Sequence, residues 1–261
     1  MNRTLLAAAL LVMTLAAVVA ATGSASATHS WGGYHWARTG NPFTLNLGNN
    51  TSGMWSTDLT TIVSSDWSQS TVLDTTVVPG GTRPKTCRPT SGRVEVCSAN
   101  YGNTGWLGVA QIWISGGVHI TQGTVKNNDY YFGSSTYQYN NTAEKLHVIC
   151  QEVGHTLGLD HQSTDGTSLK TCMDYYHNTS ASDTLSTHPN QHDRDELDII
   201  YGHLDSTTTV GASRAAAAGA ALDEPNEWGK LVSGSKDGYS ATYERDFGGG
   251  NKVVTFVIFT Q

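Results

Sequence analysis

Between His147 and His161 the chain reads HVICQEVGHTLGLDH, and the spacing inside that stretch limits what it can fold into. Gln151 and His155 are four residues apart, about 40° around a helix axis, so on a helix their side chains can converge on one ion. Glu152 projects beside them. Gly158 can take the left-handed conformation that ends a helix, and the reversed chain then brings His161 back towards His155.

The surrounding sequence supplies that helix. Asn141 with Glu144 three positions later forms an N-terminal capping pattern, predicting a helix from Thr142 to Gly158. Upstream, Phe43, Leu45 and Leu47 alternate as in a strand. Trp55, Leu59, Ile62 and Val63 recur at helical spacing. A second strand is predicted from Leu73 to Val78, and two more over Leu107–Ile114 and Val118–Lys126. Residues 82–104 read as a stapled hairpin or loop, and the tyrosines at 130, 131, 137 and 139 as a polar loop. Downstream, Asn190 with Asp193 opens another helix that presents Leu197, Ile200, Tyr201 and Leu204 on one face.

The chain starts with Arg3, an apolar run from Leu5 to Ala20, and Ala25-Ser26-Ala27, the order of a secretory signal peptide ending at Ala27. The mature protein is therefore expected to be secreted and extracellular, with no membrane association after cleavage. Only 14% of residues are charged and the formal charge is −7, which leaves no basic surface for nucleic acid. Cys87, Cys97, Cys150 and Cys172 in an oxidising compartment imply two disulfides. Of the three possible connectivities we expect the local one, Cys87–Cys97 and Cys150–Cys172. A four-thiolate zinc site is the rival, without the C-x2-C spacing it normally shows. The predicted organisation is a signal peptide over 1–27, one domain over 28–205, an Ala/Gly/Ser/Thr-rich linker over 206–226 and a small β appendage over 227–261.

The pattern E-x-x-H-x-x-G-x-x-H is that of a zinc hydrolase whose first histidine has become Gln151. In such a site Glu152 is the general base for metal-activated water, and His155 and His161 are ligands. With Met173 downstream in Cys172-Met173-Asp174-Tyr175, the chain resembles the metzincin metalloproteases, most closely the matrixin-like branch found in secreted bacterial proteins, over roughly residues 34–204. The resemblance implies an α+β fold, a twisted mixed β-sheet carrying an active-site helix and a C-terminal helix. It also implies one catalytic Zn2+, cleavage of protein or peptide substrates by a monomer, a methionine turn at Met173 beneath the metal, and a tyrosine near the metal at Tyr175. The family's cysteine switch is absent.

Three readings of Gln151 remain. Its amide oxygen is a weak ligand or holds a bridging water, since zinc prefers imidazole, thiolate or carboxylate. Alternatively another residue replaces it. His147 lies eight residues before His155, about 12 Å along the axis, and is better suited to packing. Asp160, His177 and His188 are looser candidates. In the third reading the fold survives as a non-catalytic binding module. Other metal-assisted hydrolysis is a further alternative. A Cys150–Cys172 bond would brace the site whichever holds.

Overall fold

The computed structural model describes residues 28–212 and 222–260; the expected signal peptide and part of the expected linker lie outside them. The described chain is a mixed α+β fold on one nine-stranded sheet. β2 (Phe43–Asn50) is followed by a helical stretch made of α1 (Gly53–Asp58), a π-helical segment (Leu59–Val63) and α2 (Ser64–Trp67), then by β3 (Leu73–Pro79). β4 (Val94–Ala99), β5 (Trp106–Ser115) and β6 (His119–Asn128) precede the short α3 (Asp129–Phe132). After α4 (Thr142–Thr156) and α5 (Gln191–Ile200), the chain ends in β7 (Lys230–Gly234), β8 (Ser240–Gly248) and β9 (Asn251–Phe259).

The sheet order is β3-β2-β4-β6-β5-β9-β8-β7. Its first four strands are mutually parallel, and β5 runs antiparallel to both β6 and β9. The two-residue β1 (His35–Trp36) pairs parallel with the beginning of β6. The C-terminal strands thus continue the main sheet. Their position follows from composition: the run VVTFVIF in β9 is buried on both faces, as strands covered on both sides require. Val254, Phe256 and Ile258 enter the main core with Leu107, Ala110 and Ile112 of β5. Val253 and Val257 join Trp106, Val109, Trp113 and Trp228 in a second cluster.

α4 packs on β5 and β6. The helix starts where the capping pattern placed it, with Asn141 Oδ1 accepting from Glu144 N at 2.9 Å. It ends two residues before Gly158, because Leu157 N and Gly158 N bond to Gly154 O and His155 O in a tight turn. Gly158 has φ +98°, and a Cβ there would collide with the Tyr34 carbonyl. α5 carries the full capping box of Asn190 and Asp193. Leu204 lies beyond its end and is exposed, so it does not belong to the expected apolar face.

Residues 82–104, expected as hairpin or loop, contain β4, which is buried between β2 and β6. The tyrosine cluster is only partly loop: Tyr130 and Tyr131 lie in α3, and Tyr131 and Tyr139 are buried. The disulfides are Cys87–Cys97 and Cys150–Cys172. Among the described residues no helix is long and apolar enough to cross a membrane.

Two substitutions test these constraints. Gly158→Ala should lower the unfolding free energy by at least about 1–3 kcal/mol, since it combines positive-φ strain with a backbone clash. Opening the 22-residue separation of Cys150 and Cys172 by a double change to serine should cost about 3 kcal/mol in the chain-entropy picture. Denaturant titration of each variant against the parent measures both.

Candidate metal centre

α4, the Gly158 turn and the segment around Met173 together enclose Gln151, Glu152, His155 and His161. All four are buried, with exposures of 1%, 0%, 1% and 4%. Close packing builds the enclosure. A Cβ on Gly154 would lie 2.5 Å from Met173 Sδ and 2.7 Å from the Trp67 ring, so only glycine lets the methionine turn rest on the helix there. The disulfide at Cys150 fastens the same turn one residue from Gln151.

His155 and His161 are brought together. Their Nε2 atoms are 3.1 Å apart and their ring centroids 4.4 Å. His155 Nδ1 lies 2.9 Å from the carbonyl oxygen of Leu159, which can only accept, so Nδ1 carries the proton. His161 Nδ1 faces the Asp160 carboxylate at 3.2 Å and is protonated for the same reason. The two Nε2 atoms therefore face each other at a separation that one bridging cation or one shared proton would account for. Burial above all, with the neighbouring imidazole adding to it at His155, holds His155 well below and His161 below the usual imidazole range, which favours neutral rings able to ligate. The separation is close to the edge of about 3.3 Å that two donors subtend around a tetrahedral zinc with bonds of about 2.0–2.1 Å. These two residues fit a metal ion.

Gln151 is committed differently. Its amide Nε2 donates to the carbonyls of Cys172 at 2.6 Å and Asp174 at 2.7 Å, gripping the backbone on either side of Met173. Its carbonyl oxygen is the one atom of the side chain left to act as a ligand. Glu152 lies against β5, where a Cβ on Gly108 would be 2.7 Å from Oε1. Neither carboxylate oxygen makes a hydrogen bond of normal geometry, and the Ala110 backbone N–H is at most a weak partner. Burial pushes its pKa well above the usual carboxylate value, and the Ala110 backbone N–H offsets only part of that.

The looser candidates are engaged elsewhere. His147 Nδ1 bonds the Ser186 carbonyl at 2.5 Å, His177 pairs with Glu144, and His188 with Asp66. Asp160 holds His161 from behind. Tyr175 lays its ring on His161, with centroids 3.9 Å apart, and burial pushes its hydroxyl up to about 12.

Two further residues at the centre come from the C-terminal strands. The Phe256 ring of β9 stacks on His155 at 4.1 Å with an interplanar angle of 4°. Ser240 Oγ of β8 lies 3.0 Å from Val257 O and 3.4 Å from His161 Nε2. Neither carries a sequence signal, since both are set by the pairing of distant strands. The C-terminal strands thus cover His155 and His161. No family model matches the sequence, and no curated protein matches it.

The Glu152 environment gives a pH-dependent outcome. Its folded pKa is above the unfolded value, so the folded protein keeps a proton that the unfolded chain releases above the ordinary carboxylate range. Its contribution to stability is fully present at acid pH and is lost as pH rises towards the folded pKa. In chelator-treated protein, Glu152→Gln should therefore raise Tm relative to the parent at pH 8 and much less at pH 5, by roughly 3 °C for each kcal/mol relieved. Calorimetry at the two pH values decides it; equal effects at both would show that the carboxyl is not held protonated.

Proposed function

We propose that this chain is a secreted, zinc-dependent endopeptidase of the metzincin kind, folded in a closed state. The observation that carries the reading is that the Nε2 atoms of His155 and His161 face each other across 3.1 Å, with each ring held at its Nδ1 by Leu159 O or Asp160. The mixed sheet carrying α4, the turn at Met173 and α5 follow one another as the metzincin resemblance implies. Secretion is supported by the Arg3-to-Ala27 pattern and by two disulfides.

His155, His161 and the Gln151 amide oxygen would hold the ion. When bound, zinc polarises a peptide carbonyl and makes water acidic enough to attack near neutral pH. Glu152 takes the proton from the attacking water and returns it to the departing amine. In the closed state its burial favours the neutral carboxyl, which is a poor proton acceptor. Exposure to solvent lowers its pKa and makes it a base. An extended substrate would approach by adding a strand to β5. β9 occupies that edge, pairing Ala110 with Phe256 and Val109 with Val257. Opening β9 is therefore the step that admits substrate and activates Glu152.

A second reading, a catalytically inactive metzincin-like module, is favoured by one observation. Gln151 spends its amide N–H groups on the Cys172 and Asp174 carbonyls, serving the turn.

The two readings diverge in hydrolysis of unstructured casein by the parent, Phe256→Ala, Phe256→Ala with Glu152→Ala, and Gln151→His proteins. The peptidase reading expects at least about tenfold more cleavage from Phe256→Ala than from the parent, abolished by adding Glu152→Ala and by chelation. If no protein with Gln151 cleaves casein and Gln151→His does, the inactive module is correct.

A further inference from the structure

A second cluster of metal-donor side chains is assembled by other elements: β1, the start of β6 and the segment after α5. His35 and His119 stand opposite each other in the parallel register of β1 and β6. His203 and Asp205 come from the chain just beyond α5. One donor atom each from His35, His119 and Asp205 lies within 4.8 Å of the others. Asp205 Oδ1 is the hub, 3.5 Å from His35 Nε2, 3.1 Å from His119 Nε2 and 3.8 Å from His203 Nε2. The Nε2 atoms of His203 and His35 are 3.2 Å apart.

The orientation of these groups is fixed from outside the cluster. His35 Nδ1 donates to Gly33 O at 2.8 Å, which leaves its Nε2 lone pair facing inward. Asp205 Oδ2 is occupied by the Arg38 guanidinium at 2.9 Å and the Arg38 backbone N–H at 3.2 Å, so Oδ1 is the oxygen free to bind. The separations of 3.1, 3.2, 3.5 and 3.8 Å lie near the donor–donor edge of about 3.3 Å of a tetrahedral zinc site; His203, half exposed and outside the trio whose donors all lie within 4.8 Å of one another, would swing in towards His119 to complete the shell. Three imidazoles and one carboxylate are a donor set that zinc accepts.

We propose that His35, His119, His203 and Asp205 bind a second zinc ion with a structural role. It clips β1 and the sheet at β6 to the segment that follows α5. That segment already runs along the strand's continuation, with Asp205 N bonding Arg38 O and Thr209 N bonding Ala37 O, both at 2.9 Å. Four protein donors close the coordination shell and leave no position for a substrate. The rival explanation for the geometry is a purely hydrogen-bonded group of imidazoles around Asp205.

The test is zinc stoichiometry of the full secreted chain after exhaustive dialysis, with cobalt substitution as a spectroscopic second readout. His203 is half exposed, so His203→Ala should fold normally; it should weaken zinc binding at this site by at least about tenfold, since even an outer-shell partner is worth that much. His119→Ala and Asp205→Asn should each remove one equivalent and the tetrahedral cobalt band that belongs to it. His161→Ala should leave that equivalent in place, so failure at the catalytic centre and failure here are separable. Unchanged zinc content and affinity in folded His203→Ala and His119→Ala proteins would overturn the proposal, as would a His161→Ala protein that binds no zinc.

Discussion

The attachment of α4 to the turn at Met173 is the constraint on which the rest of the site depends. Two consecutive residues of one helical turn make it: Cys150 by a covalent bond to Cys172, Gln151 by hydrogen bonds to the carbonyls flanking Met173. Gly154, one turn further along, removes the side chain that would keep the turn away. With the helix and turn locked, the position of His155 is set, and the Gly158 reversal sets His161 relative to it. A histidine in place of Gln151 would offer one Nδ1–H donor to the turn, whereas the glutamine amide offers two N–H groups and uses both. Gln151 thus has a structural task at the turn that a histidine there would fill only in part.

Much of the local structure was legible because it depends on neighbours in sequence. Asn141 with Glu144 and Asn190 with Asp193 cap helices through contacts three residues apart, and Phe43-Leu45-Leu47 signals β2 by alternation alone. The Cys87–Cys97 and Cys150–Cys172 pairs are sequence-local as well. What was not legible is set by distant partners. β4 reads VEVCSA and is polar for a strand buried between two others; Glu95 is tolerated there because Arg93, Asn50 and the Gly81 N–H satisfy its carboxylate. The π-helical turn at Leu59–Val63 sits inside an unbroken helical pattern, and nothing in the periodicity marks it.

The candidate site divides in the same way. Glu152, His155 and His161 could be named from spacing within eleven residues, together with the doubtful Gln151. Phe256 and Ser240 could not, because about a hundred residues separate them from α4. The His35, His119, His203 and Asp205 group was equally invisible: its members span 170 positions between His35 and Asp205, and each alone reads as an isolated surface residue. Sequence reasoning locates chemistry carried by one helix turn, and misses chemistry assembled by a sheet.

The place of β9 has a consequence for how the molecule is made. This strand lies between β5 and β8, and its partner β5 begins at Trp106, so the pairing joins residues more than a hundred positions apart. Until residues 251–259 have emerged, β5 is an exposed, hydrophobic edge strand, the kind of surface that recruits foreign strands. The long loop that must close before this contact forms makes the step slow. Export in an unfolded state, followed by folding of the whole chain at once, would shorten the time for which that edge is bare.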